Sequence, residues 1–202
     1  MIKITIDGPK GVGKSTLAKK LTIKIKGKHY YFGPTRSYTN PKIKKEYNEM
    51  LNDNTNYILE RGPMSDYIFL ATREWYPTLN ISLEKNNGEL IPKIEYDWLP
   101  ITIPQLGEYF SNSTLNIIMY SSDINKLLDN LQVRKNKSGK YANADELKFI
   151  ELENDLYKFT AEQAKKFNKL NNVLILDINK LTYKQINEII LNKYDELNNA
   201  NK

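Results

Sequence analysis

The stretch Gly8-Pro9-Lys10-Gly11-Val12-Gly13-Lys14-Ser15 fits the spacing G-x-x-x-x-G-K-[ST]. Glycines in that pattern let successive backbone N–H groups converge on phosphate oxygens. A helix opening near Lys14 would aim its unpaired N–H groups and its positive dipole end at the same point. Lys14 would then reach the β- and γ-phosphates of a nucleoside triphosphate, and the Ser15 hydroxyl would ligate Mg²⁺. Two further stretches carry charge where chemistry could use it. Glu60-Arg61 closes an apolar run, and Arg134-Lys135-Asn136-Lys137-Ser138-Gly139-Lys140-Tyr141 places four cations in a short Gly-containing stretch.

The elements that must position these groups follow from periodicity. Ile2 to Ile6 alternates with period two and is rich in β-branched residues, which predicts a strand leading straight into the glycine-rich turn. Leu17, Ala18, Leu21 and Ile25 share one helical stripe, and Gly27 suits the stop just past its end. His29 to Phe32, Asn56 to Glu60, Asn116 to Ser121 and Val173 to Asp177 complete a predicted set of five strands. Helices are expected after Pro41, from about Ser65 to Trp75, around Leu127 to Leu131, from Asn143 to about Phe167, and from Thr182 onward. Asn143 with Glu146 and Thr182 with Gln185 both have capping-box spacing. The tail from Asn198 is polar and expected to fray. Between residues 79 and 98, two alternating runs flank Asn86-Asn87-Gly88, which predicts a β-hairpin excursion. Strands alternating with helices imply an α/β fold, a parallel sheet covered on both faces.

A phosphate loop alone serves a switch GTPase, a motor ATPase or a small-molecule kinase. Guanine-reading switches usually show Asn-Lys-x-Asp, whereas Asn125-Lys126-Leu127-Leu128 and Asn179-Lys180-Leu181-Thr182 both lack the Asp. A hydrophobic strand ending in Asp-Glu, common in motor ATPases, is also missing from the sequence.

From Tyr57 through Glu60-Arg61-Gly62-Pro63-Met64-Ser65 to Phe69, the chain resembles the thymidylate kinase and deoxynucleoside kinase superfamily of P-loop kinases. Members carry an acidic residue and Arg at this strand end and a Ser four positions after the Arg, as Glu60, Arg61 and Ser65 do here. The resemblance implies a three-layer P-loop fold in one domain, residues 1–202, with five parallel strands, a lid loop and ATP and Mg²⁺ as cofactors. Residues Gly8, Lys10, Gly11, Val12, Gly13, Lys14, Ser15 and Thr16 would then cradle ATP. Strand C-termini in such a sheet face the ligand crevice. An Arg fork there can bind an acceptor phosphate bidentately, and a carboxylate beside it can hold Mg²⁺ through water. Lys14, Glu60, Arg61 and Arg134 are the expected catalytic residues, and Ser15 and Glu60 the metal-binding pair. The stretch from 134 to 142 resembles the lid, in which Lys137 and Lys140 would join Arg134 in neutralising the transferring phosphoryl group. The family pattern has more Arg there than this chain.

Phe32-Gly33-Pro34-Thr35-Arg36-Ser37 is similar to the segment after the second strand of thymidylate kinases, which makes Arg36 a further acceptor-phosphate ligand beside Arg61 and Ser65. Deoxynucleoside kinases usually supply a Glu before that Pro, because a 5′-hydroxyl must lose a proton. Gly33 stands there instead, which favours a deoxynucleoside monophosphate as acceptor over a nucleoside, unless Glu60 serves as base. Tyr96 and Trp98 in the hairpin region are expected to stack on the acceptor base, in place of a helix for which the chain has little room between Arg36 and Glu60. DNA as acceptor, or a switch module that only hydrolyses ATP, are readings the strand-end pair and the lid do not favour. Members are commonly dimers, so a homodimer is implied as well.

Composition narrows the alternatives. Of 202 residues none is Cys, which removes disulfides, thiolate metal sites and thiol nucleophiles. A single His, His29, removes His-cluster metal sites. The net charge of +6 suits an anionic partner such as a nucleotide. No run approaches the ~18 apolar residues of a membrane span. With no apolar leader at the start and no Cys, the expected compartment is the cytoplasm.

Overall fold

The computed structural model describes residues 1–31, 45–46, 49–50, 52–62, 64–65, 68, 72, 82–86, 89–93, 110–111, 113–138, 144–167 and 169–200. Their order begins with β1 (Lys3–Asp7), α1 (Lys14–Ile25), β2 (Lys28–Tyr31), β3 (Tyr57–Glu60), β4 (Ser82–Asn86) and β5 (Glu89–Lys93). It continues with β6 (Leu115–Tyr120), α2 (Ile124–Ser138), α3 (Ala144–Phe167), β7 (Val173–Asp177) and α4 (Tyr183–Ala200).

Five of these strands form one parallel sheet in the order β2-β3-β1-β6-β7. β1 is central: Ile4 pairs with Ile58 of β3 on one side and with Leu115 of β6 on the other. After β1 the chain goes out to the edge strand β2, returns to β3 beside β1, and then crosses to β6 and β7 on the other side, so the direction of the crossovers reverses beside β1. In open α/β sheets that reversal opens a crevice at the strands' carboxyl ends.

Alternation sorts the strand side chains onto two faces. Ile4 and Ile6 of β1, Ile58 of β3, and Leu115, Ile117 and Met119 of β6 share a buried cluster with Leu17, Leu21 and Ile25 of α1, Leu127 and Leu131 of α2, and Ile186 and Ile190 of α4. On the opposite face, Ile118 and Val173 pack with Leu152, Leu156, Tyr157, Ala161 and Ala164 of α3. The result is three layers, as the strand–helix alternation implies. Each buried Leu or Ile side chain contributes roughly 1.5–3 kcal/mol relative to exposure.

Several boundaries differ from those expected. The left-handed stop of α1 falls on Lys26, with φ 50°, not on Gly27. The amides of Lys26 and Gly27 donate back to Ile23 and Thr22, which closes the last turn. Gly27 is needed for a different reason: a Cβ there would stand 2.6 Å from the Asn56 carbonyl oxygen. The helix expected to end before Arg134 runs on to Ser138. Arg134, Lys135 and Lys137 are good helix formers, so the basic stretch continues the helix. The Asn198 tail is helical through Ala200.

The Thr182–Gln185 capping box forms as its spacing predicts. Gln185 Oε1 accepts from the Thr182 amide at 2.8 Å, and the Gln185 amide donates to Thr182 Oγ1 at 3.3 Å. The hairpin is also present: β4 and β5 pair antiparallel, with Asn86 opposite Glu89, as a separate two-stranded sheet. Residues 64–65, 68 and 72 are helical, as are 45–46, 49–50 and 52. No helix among the described residues is long and apolar enough to cross a membrane.

Candidate active site

The carboxyl ends of β1 and β3 bring the chemistry-bearing residues together. The loop after β1 turns through Gly8, with φ 147°, and its backbone lies so close to β6 that a Cβ would sit 2.3 Å from the Met119 carbonyl oxygen. Only glycine fits there. Gly13 caps α1 in the left-handed region, φ 97°, and offers no side chain to the first turn. That first turn also holds no acidic residue. The helix therefore presents its positive end toward the loop without a built-in anion. From the other side, Asn130 of α2 donates to the Gly11 carbonyl at 3.0 Å and steadies the loop.

Lys14 is buried, and its Nζ donates to the carbonyl oxygens of Gly8 and Pro9 at 2.6 and 2.7 Å. Burial first and the nearby Arg61 guanidinium second, opposed by the carboxylates of Glu60, Glu153 and Asp7, bring its pKa down from 10.5 to about 7. Carbonyl dipoles thus stand in for the full negative charge that a buried ammonium requires.

Ser15 Oγ donates to Glu60 Oε1 at 2.5 Å, and His29 Nε2 lies 3.1 Å from Glu60 Oε2. The Glu60 side chain is almost fully buried, at 4% exposure, and His29 is 24% exposed. Ser15 and Glu60 supply two hard oxygen donors. Among the described residues no group of three or more His, Cys, Asp or Glu could form an all-protein cage. That donor set fits Mg²⁺, which keeps several waters and takes one or two protein oxygens plus substrate phosphates.

A second network lies on the α3 face. Asp7 Oδ1 accepts from the Gly62 amide at 2.9 Å and from Ser65 Oγ at 2.5 Å, and the Tyr157 hydroxyl donates to Ser65 Oγ at 2.9 Å. Burial, reinforced by Asp7, pushes the Tyr157 hydroxyl pKa well above its usual value. These bonds hold the turn in which Arg61 adopts φ 65°, a conformation costly for a residue with a Cβ. The Arg61 amide donates to the Ile6 carbonyl at 3.0 Å, and its Nε is buried without a hydrogen-bond partner among the described residues. Backbone strain and a buried guanidinium nitrogen without a partner among the described residues thus coincide at one residue.

The expected residues thus divide. Gly8, Lys10, Gly11, Val12, Gly13, Lys14, Ser15 and Thr16 lie on the loop and first turn of α1, and Glu60, Arg61 and Ser65 join them at the end of β3. Ser65 is occupied by Asp7 and Tyr157, so it braces the Arg61 turn. Arg134 and Lys137 lie in the last turns of α2 where a lid loop was expected. Arg36, Tyr96, Trp98 and Lys140 lie outside the described residues. The sequence reading passed over Asp7, His29, Glu153 and Tyr157. Asp7 carried a signal, since a carboxylate directly before the glycine loop faces the strand end. The other three come from distant segments.

No protein-family model matches the chain, and no curated protein sequence matches it. Solved structures do. One is a YorR protein from Bacillus subtilis in complex with phosphorylated GDP, with a TM-score of 0.56, 18% identity, and coverage of 93% of this chain and 92% of that one. Another is a deoxyadenosine kinase from M. mycoides with products dCMP and a flexible dCDP bound, with a TM-score of 0.54, 20% identity, and coverage of 96% and 100%. The same enzyme with bound dCTP gives 0.51 and 19% over the same spans. The chain shares their α/β P-loop fold over nearly its whole length.

Proposed function

We propose that this protein is a Mg²⁺- and ATP-dependent kinase that transfers the γ-phosphoryl group to a deoxynucleoside monophosphate, as thymidylate kinases do. The observation that carries this reading is the convergence at one sheet end of Lys14, the Ser15–Glu60 pair and the strained Arg61. Lys14 would exchange its two loop carbonyls for β- and γ-phosphate oxygens, which satisfy its charge better. Mg²⁺, held by Ser15 and by Glu60 directly or through water, would neutralise charge between those phosphates. Arg61, with its unmatched Nε, would fork onto the acceptor phosphate and align it for in-line attack. The acceptor oxygen forms the new P–O bond as the bond to the β-phosphate oxygen breaks, and ADP leaves with that electron pair.

A nucleoside acceptor is the second reading, favoured by the likeness to deoxyadenosine kinase. It needs a base for the 5′-hydroxyl proton. Both Glu60 oxygens are already engaged, by Ser15 and His29, which draws Glu60 toward the metal side. Gly33 supplies no carboxylate either. A phosphate acceptor is anionic at neutral pH and needs no base.

The test is ADP release with Mg-ATP against thymidine monophosphate, the other deoxynucleoside monophosphates, the free nucleosides and a 5′-hydroxyl oligonucleotide. Turnover on a monophosphate and not on its nucleoside is the expected outcome. Turnover only on nucleosides transfers the assignment to the second reading, and hydrolysis without any acceptor removes the kinase reading altogether.

A further inference from the structure

The protein's only histidine touches a buried carboxylate at the site, Glu60. β2 is an edge strand of the sheet, and His29 pairs in register with Ile58, two residues before Glu60. Residues 29, 58 and 60 therefore point to the same face, that of α1, where Ser15 lies. Glu60 Oε1 accepts the Ser15 hydroxyl and Oε2 faces His29 Nε2. A carboxylate oxygen accepts, so Nε2–H is the donor with which His29 would hold Oε2. Each carboxylate oxygen then has its own donor, and the plane of the carboxylate is fixed.

Resting on the phosphoryl-transfer reading above, we propose that His29 is a positioning residue for the metal limb of the site. By holding Oε2, it presents Oε1 to Ser15 and to the Mg²⁺ that Ser15 and Glu60 would share. Without it, Oε2 would lose its partner and the buried carboxylate would be free to turn away from Ser15. Partners that hydrogen-bond a metal-ligating carboxylate commonly govern metal affinity by such orientation. The alternative is that His29 serves only to satisfy a buried charge, in which case its loss lowers stability and leaves metal use alone.

The test measures binding of a fluorescent ADP analogue to the full chain as MgCl₂ is varied, and in EDTA. Three variants are compared with wild type: His29→Leu, which removes the donor; His29→Gln, whose amide nitrogen can replace Nε2; and His29→Asn, whose amide falls short. Leu and Asn are expected to raise the Mg²⁺ concentration for half-maximal tightening about tenfold. Gln is expected to return it to near wild type, and all variants should bind the analogue equally in EDTA. Should His29→Leu fail to fold, the Asn and Gln pair carries the same contrast. An unchanged Mg²⁺ midpoint in Leu and Asn, an equal loss with and without Mg²⁺, or a Gln variant no better than Asn overturns the assignment. Wild-type protein that binds no nucleotide in a Mg²⁺-dependent way overturns the parent reading along with it, whereas Mg²⁺-dependent wild type with indifferent variants overturns His29's role alone.

Discussion

The two ends of the central sheet bury polar groups by opposite rules. At the amino end, asparagines stand just before or at the start of three strands, and each side chain is hydrogen-bonded to other segments. Asn56 accepts from the Ile2 amide and donates to the Ile25 carbonyl. Asn116 accepts from Thr5 Oγ1 at 2.7 Å and donates to the Phe110 carbonyl at 2.9 Å. Asn172 donates to the Phe110 and Ser113 carbonyls. All of these are neutral groups with neutral partners. At the carboxyl end Lys14, Glu60, Asp7 and Arg61 share a small volume, and the lysine is depressed by its surroundings. Left-handed residues divide in the same way. Lys26 and Lys169 take φ 50° and 51° as ordinary helix stops, bonded back to the preceding turn, whereas Arg61 takes φ 65° at the end of a strand. One end is arranged for stability, and the other keeps charge and strain that a ligand can relieve.

The strongest way to break this contrast is Lys14→Ala. Turnover is expected to fall by about 10³-fold or more, roughly 4 kcal/mol of transition-state stabilisation, while the melting temperature holds or rises. A variant with wild-type turnover would remove the phosphate-loop assignment. Asn116→Leu should do the reverse. It strands Thr5 Oγ1 and weakens the bond network at Phe110, so denaturant unfolding should show a loss of about 2 kcal/mol with turnover per folded molecule unchanged. A selective loss of activity instead would erase the division of labour between the ends.

Arg61→Gly and Lys26→Gly sharpen the comparison of strain. Both relieve a left-handed residue, and each is expected to gain up to about 1 kcal/mol in unfolding free energy. Only Arg61→Gly should raise the KM for the acceptor and cut kcat. Equal, silent effects on activity would show that the Arg61 turn is a structural stop like Lys26.

Lys14 also predicts a pH dependence. Between about pH 7 and its unfolded value near 10.5, the unfolded chain holds a proton on Lys14 that the folded chain does not. Stability of the ligand-free protein should therefore rise with pH across that window, and Lys14→Met should flatten the slope. Tyr57, raised to about 12 by burial, acts with the opposite sign only above pH 10. Urea melts from pH 7 to 9.5 check this, and a slope that survives Lys14→Met would place the titrating group elsewhere. The smallest effect expected is at Asp53, away from the site. Its carboxyl is held low chiefly by its hydrogen bond to Lys28, with help from Thr55 and Tyr30. The stability it contributes is present at neutral pH and is lost as the solution becomes acid. Asp53→Asn should shift the urea midpoint only slightly at pH 7, as for other exposed pairs, and should leave turnover untouched. A large loss of activity would extend the functional region to the Lys28–Asp53 contact.

Local chemistry was enough to find the phosphate loop, because its glycines, lysine and serine act within eight consecutive residues. It found Glu60 and Arg61 because a charged pair closing an apolar strand is visible in one dimension. The strands were legible through β-branched alternation, the faces through the same period, and the Thr182 cap through its three-residue spacing. The helix end at Lys26 was not, because glycine's preference for left-handed backbone pointed to Gly27. What Gly27 answers is the approach of Asn56, 29 residues away.

Sequence by itself determined that a phosphate-loop motif stands at a strand-to-helix turn, since that motif is built from backbone amides and neighbouring side chains. Only the tertiary structure decided what surrounds the loop. Strand register brings His29 to Glu60 across 31 residues, and packing of α3 brings Tyr157 to Ser65 across 92. A chain rich in asparagine gives no sign of which ones fasten the amino end. Pairing across a sheet depends on which strands become neighbours and in what register, and those are settled by burial of the whole core.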